Sequence, residues 1–251
     1  MLMEPDLRRL QNRFAELAAR AARQNRYAFT PFLSLAEQDA LLCMTRTLEA
    51  PVTLFGGFDG AERRLACFGD ESALGYPPVF PLCCLCIAPA AQKFAADIGH
   101  RDFLGALMAL GVKRETLGDI LVQNRTGWLF CLEEIAPWLC ENLTAVGRTA
   151  VVCAPSDPPE TATALPAPKE AVVSSERLDG LISAVWSLSR SRSKEYFDRE
   201  LVFVNGRLAG SPAKIPAPGD VISVRGLGRF RYEGLSRETR KGRLRVTVRV
   251  W

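Results

Sequence analysis

A single histidine, His100, stands in a chain of 251 residues. A structural zinc site takes about four ligands, mostly histidine and cysteine, so a histidine-based metal centre is not expected. Nowhere do eighteen apolar residues run together, and no transmembrane helix is expected. The opening stretch MLMEPDLRRLQNRF lacks an apolar core leading to a small-residue cleavage site. No signal peptide is read, and a cytoplasmic location without membrane attachment is the expectation. Nucleotide signatures are missing as well. The glycine cluster GGFDG at 56–60 lacks the Lys-Ser/Thr ending of a phosphate loop and reads as a turn. A glycine-rich cofactor fingerprint after a strand is absent too, and no cofactor is expected.

Eight cysteines are present, all before residue 154. Cys83 and Cys86 have the C-x-x-C spacing of zinc or redox sites. Their setting, VFPLCCLCI at 79–87, reads instead as a buried strand, where free cysteine behaves as a small apolar residue. Composition is otherwise that of a globular protein, 48% apolar and 24% charged. Domains usually run to about 100–200 residues, so two or three are expected.

The net charge of +4 conceals an asymmetry. Residues 172–251 hold 16 Lys and Arg against 8 Asp and Glu, while residues 1–171 hold 16 against 20. Such segregation points either to a polyanion-binding end on a near-neutral body or to a solvated basic face. Five prolines fall within APSDPPETATALPAPKEA at 154–171, which reads as an extended linker.

Ahead of that linker two units are expected. Residues 1–75 form a helical/mixed unit, with Leu7, Leu10, Phe14 and Leu17 at helical spacing. In it Ser34 is placed to cap a second helix, with Glu37 three residues on. Residues 76–153 suggest strands at 81–88, 118–123, 127–131 and 147–153, and helices at 100–111 and 133–143. That β-α-β-β-α-β order is ferredoxin-like. RNA-recognition motifs share it and stack bases on strand aromatics. Trp128 and Phe130 alternate on the third strand, as half of such a platform or as ordinary core.

Beyond the linker, Leu178, Leu181, Ile182, Val185 and Trp186 follow the spacing of an amphipathic helix. Ser189 is a candidate N-cap for a second helix through Arg199. A helix N-terminus presents free N–H groups to anions, and Arg190, Arg192 and Lys194 gather at the same turn. A strand at 201–204 runs into an Asn205-Gly206 hairpin turn, and Pro218-Gly-Asp220 turns into another strand. At 243–250 apolar and basic residues alternate, implying one apolar face and one basic face that is either solvated or in contact with RNA backbone.

Arg177-Leu-Asp179, Ser189-Arg-Ser191, Val204-Asn-Gly206 and Gly219-Asp-Val-Ile222, in this order and spacing, resemble the RNA-binding domain first recognised in ribosomal protein S4. Glu200 departs from the pattern, since members often carry glycine there. The resemblance implies a C-terminal S4 domain at 172–251, two helices followed by a small β-sheet. It implies RNA contacts at Arg177, Arg190, Ser191, Arg192 and Lys194. Asn205, Arg207, Arg225 and Arg229 complete the expected set. GHRDFLGAL at 99–107, Leu110-Gly-Val-Lys-Arg114, LGDI at 117–120, Phe55-Gly-Gly-Phe58, Ala61-Glu-Arg-Arg64 and GLGRF at 226–230 look like the bacterial YlmH family. Its relatives in photosynthetic lineages are called photosystem II S4-domain proteins. The fold implied is α+β, with an RRM-like middle domain. The function implied is non-catalytic binding of rRNA, tRNA or both on the large ribosomal subunit, in rescue of stalled translation. His100, Arg101, Lys113 and Arg114 flank one helix and offer a second RNA surface, or ordinary solvated charge.

His100-Arg101-Asp102 spells the kinase catalytic tripeptide, but no glycine-rich loop, strand lysine or Asp-Phe-Gly accompanies it. Two other readings stay open. One is an RNA-modifying enzyme targeted by its S4 domain. The other is an adaptor whose middle domain binds a protein partner, linked to cell division.

Overall fold

In this computed structural model, residues 4–91, 97–239 and 242–251 are described. The chain divides into two compact units between Ala164 and Leu165.

The first unit opens with helix α1, Glu4–Gln24, which buries Phe14, Leu17, Ala18 and Ala21. It ends where Asn25 turns left-handed at φ 47, a conformation asparagine tolerates. Strand β1 is Ala28–Phe29 and helix α2 is Leu35–Leu42. The backbone N–H of Ser34 donates to the Glu37 carboxylate at 2.7 Å, as the capping pair predicts. Strands β2, Val52–Phe55, and β3, Leu65–Phe68, complete an antiparallel sheet of order β1-β3-β2. One helical turn, α3 at Glu71–Leu74, leads onward.

A five-stranded sheet follows. It contains β4 (Leu82–Pro89), β5 (Leu117–Gln123), β6 (Thr126–Leu132), β7 (Ala145–Val146) and β8 (Thr149–Pro155). Helices α4, His100–Ala109, and α5, Ala136–Asn142, form its crossings. Strand order is β5-β6-β4-β8-β7, antiparallel throughout. The β5–β6 turn is tighter than expected. Asn124 and Arg125 both have positive φ, 51 and 64, and Thr126 already belongs to β6. Two left-handed residues match the twist of a two-residue hairpin.

A strand sends alternate residues to opposite faces. Leu85, Ile87, Leu129 and Cys131 meet Phe103 and Leu107 of α4 and Leu139 of α5. On the reverse face, Cys84 and Phe130 meet Phe32 and Leu65 of the N-terminal segment. Segments 1–75 and 76–153, expected as separate units, therefore share a core. The physical reason is that a sheet apolar on both faces needs both covered.

Secondary structure also enters the proline-rich segment read as a linker. Helix α6 occupies Glu160–Thr163, and strand β9 occupies Lys169–Val173. In the second unit, β9 precedes helices α7, Leu178–Val185, and α8, Arg190–Asp198. Strands β10 (Val202–Val204), β11 (Arg207–Leu208), β12 (Val221–Val224), β13 (Gly228–Glu238) and β14 (Leu244–Val250) follow. The antiparallel order is β11-β10-β12-β13-β14-β9. Without β9, the long strand β14 would expose a row of unpaired backbone groups. Leu178, Leu181 and Ile182 pack on Val204, Ile222, Phe230, Tyr232 and Val246.

Candidate nucleic-acid interface

The junction of α7 and α8 presents a cluster of exposed cations. Ser187 turns left-handed at φ 53 and ends α7, with the Leu188 N–H donating to the Ser183 carbonyl at 2.9 Å. Ser189 then caps α8, its hydroxyl accepting from the Arg192 N–H at 3.2 Å. One turn in, Ser193 is fully buried and donates to the Asp179 carbonyl at 2.9 Å. This anchor fixes α8 against α7 and leaves Arg190, Ser191, Arg192 and Lys194 exposed around the helix start. Arg190 donates to the Ser174 hydroxyl. The side chains of Arg192 and Lys194 have no partner among the described residues. Free N–H groups and uncompensated cations together favour a phosphate.

Asp179 is buried and pairs with Arg177, which donates from Nε at 3.1 Å and Nη2 at 2.9 Å. Arg177 thus holds α7 at its start and shows only part of its charge. Asn205 is similarly engaged. Its amide donates to Asp220 at 2.8 Å and its oxygen accepts from the Val221 N–H at 2.9 Å. Asn205, expected among the RNA contacts, joins two turns. Arg207 is exposed on the β10–β11 hairpin. Arg225 lies over the Phe203 ring at 4.7 Å, and Arg229 over Trp251 at 5.5 Å. Burial lowers the pKa of Arg229.

On the basic face of β14, expected to be solvated or open to RNA backbone, the arginines are paired. Arg245 pairs with Glu170 of β9 at 2.6 Å, and Arg249 with Glu233 of β13 at 3.1 Å. Glu233 also takes Arg231 at 2.7 Å. Neighbouring strands supply the carboxylates, and cross-strand opposite charges attract.

Of the second predicted surface, His100 and Arg101 open α4, and Lys113 and Arg114 precede β5. His100, Arg101 and Lys113 are exposed. Arg114 is turned inward, its Nη1 donating to the carbonyls of Leu117 at 2.8 Å and Gly118 at 3.2 Å. Its pKa falls to about 10, through burial and then through Arg63. The pKa of His100 is held below its ordinary value by partial desolvation and then by Arg114. Arg63 and Asp119 complete this cluster. Arg63 donates to the carbonyls of Leu117 at 2.8 Å and Phe32 at 2.9 Å. Asp119 accepts from the backbone N–H groups of Glu62 at 2.6 Å and Arg63 at 3.1 Å. Burial pushes its pKa to about 6, against the pull of Arg63, Arg114 and His100. Both residues lie in family motifs, Ala61-Glu-Arg-Arg64 and LGDI at 117–120, which was their only signal in the sequence.

Trp128 and Phe130 do not form an open platform. Phe130 is 3% exposed, and Phe58 stacks on it. The paired cysteine spacing is structural too. In a strand, Cys83 and Cys86 point to opposite faces, and the Cys83 sulfur lies 3.8 Å from that of Cys131 on β6. No group of three or more metal-binding side chains occurs among the described residues. No helix among them is long and apolar enough to cross a membrane.

Residues 82–158 match a family profile described as "Putative RNA-binding domain in YlmH". Over 228 residues the chain is 32% identical to "Ribosome-associated protein quality control protein P2" of Bacillus subtilis (strain 168). That match covers 89% of this chain and 87% of the relative. The solved structure "Cell division protein ylmH from Streptococcus pneumoniae" superposes with a TM-score of 0.51 at 16% identity. It covers 62% of this chain and 94% of the other, a likeness of fold.

Proposed function

This chain belongs to the YlmH family of S4-domain RNA-binding proteins, and from that premise we propose that it holds structured RNA without catalysing a reaction. The S4 domain at 172–251 docks on large-subunit rRNA, tRNA or both. The setting is translation on the ribosome, in the quality control that the name of its Bacillus subtilis relative carries. The observation behind this reading is the start of α8, where the Ser189 cap and buried Ser193 leave Arg192 and Lys194 unpartnered beside free N–H groups. Residues 76–153 act as an RRM-like domain whose sheet does not stack bases, because Phe58 and Phe32 cover it. His100, Arg101 and Lys113 are the exposed members of the second predicted surface, and in this reading they face RNA.

The test is sedimentation with ribosomes at two salt concentrations, comparing the native chain with Arg190→Glu/Arg192→Glu/Lys194→Glu. The native protein should travel with the large subunit. The triple variant should lose that association and show a flatter salt dependence, because fewer counterions are released on binding. Equal migration of both proteins would rule out the α8 surface as the main contact.

A further inference from the structure

The first unit carries a concentration of positive charge that the S4 surface does not explain. Residues 1–171 are net acidic, yet six of their 16 cations lie between residues 8 and 26. All six are arginines, accompanied by one carboxylate, Glu16. With about 100° and 1.5 Å per residue, Arg9, Arg13, Arg20 and Arg23 fall within an arc of roughly 80°. They form a line about 21 Å long. Each is exposed. On this line Arg13 pairs with Glu16 at 3.9 Å, between side chains 60% and 72% exposed. Such a pair neutralises little. At one end the side chains of Arg8, Arg9, Asn12, Arg13 and Glu16 border a shallow depression of about 460 Å³.

The partner follows from the chemistry. A helix lying on a bilayer needs a free apolar face, but the apolar side of α1 is spent on the unit's core through Phe14, Leu17, Ala18 and Ala21. What remains outside is mainly polar, Asp6, Asn12, Glu16 and Gln24 beside the arginines, and arginine's planar fork grips pairs of phosphate oxygens. A straight row of guanidinium groups follows a continuous polyanion better than a compact acidic patch. We propose that α1 is a second, sequence-independent contact for the phosphate backbone of structured RNA, carried by Arg9, Arg13, Arg20 and Arg23. It goes beyond the S4 reading and does not require it.

The full-length chain should be titrated with a short fluorescent RNA hairpin across a salt series. The proteins compared are native, Arg9→Gln/Arg13→Gln/Arg20→Gln/Arg23→Gln, the same four positions changed to Lys, and the Gln set combined with the α8 triple variant. Glutamine is a good helix former and these sites are exposed, so circular dichroism should show an unchanged fold. The Gln set should weaken binding roughly tenfold or more and reduce the salt slope by about 2–4, at ~0.7–0.9 per lost phosphate contact. The Lys set should keep the slope. A further loss when the Gln set is added to the α8 variant would place α1 as an independent contact. An unchanged slope for the Gln set in both backgrounds would overturn the proposal while leaving the S4 reading intact. Loss of binding to phosphatidylserine vesicles with no change in RNA slope would also overturn it and assign the line to a membrane surface. An effect of the α1 set alone, with none from the α8 triple, would uphold this proposal and sink the S4 one.

Discussion

The Phe58 ring stacks on Phe130 with centroids 5.2 Å apart and planes at 30°. Gly57 makes this approach possible. It holds φ +100, and a Cβ there would lie 2.2 Å from the Phe130 ring. The sheet face that an RNA-recognition motif offers to bases is therefore filled from within the same unit.

Phe130→Ala should accordingly act on stability rather than on RNA. Removing a buried phenyl ring costs about 3–5 kcal/mol, read as a lower urea midpoint. RNA affinity at temperatures where the variant stays folded should be unchanged. A selective loss of affinity without loss of stability would show that the ring meets bases after all.

Asp119 makes stability depend on pH. Its carboxyl is raised from 3.8 to about 6 in the fold, so between those values the folded state binds the proton that the unfolded state releases. Stability from this group is full below about pH 4, declines as pH rises to about 6, and is flat above. The total is at most about 3 kcal/mol at 1.36 kcal/mol per pH unit. His100, lowered from 6.5, contributes in the opposite sense, with stability gained as pH rises through the range of its unfolded value. Urea melts from pH 4 to 7 on native protein and Asp119→Asn should differ by the Asp119 component alone. Parallel curves would refute the assignment.

Glu200 occupies the left-handed position that ends α8, at φ 55. The Glu200 N–H bonds the Phe197 carbonyl and the Leu201 N–H that of Tyr196, both at 2.9 Å. This is the double bond of a Schellman end, which favours glycine. Glu200→Gly should raise stability by up to about 1 kcal/mol without weakening RNA binding. Calorimetry would detect the rise in Tm, and a fall would show that the side chain makes a contact of its own.

Local signals in the sequence reached the local structure. The spacing of Leu178, Leu181 and Ile182, the Ser189 cap and the Asn205-Gly206 turn each specify geometry over a few residues, and each appears in the fold. The glycine that relatives carry at 200 also finds its reason in a backbone angle. Partnerships across the chain left no such trace. Nothing around Arg245 or Arg249 identifies Glu170 or Glu233 as their partners, because strand pairing brings these carboxylates in from a distance. Phe130 in its own strand looks the same whether it faces solvent or Phe58. Arg114 reads as surface charge until Leu117 and Gly118 turn their carbonyls toward it.

Strand β9 has its neighbour more than seventy residues downstream, since Val246 of β14 stands opposite Ala171. During synthesis β9 emerges long before β14 exists. The helices α7 and α8 form from nearby residues, but the sheet edge beside them stays unsealed until the last strand is made. Non-local pairing of this kind is slow to form. The order of assembly is therefore fixed by chain direction, and a chain cut short before β14 would leave both Lys169–Val173 and the long strand β13 looking for a substitute.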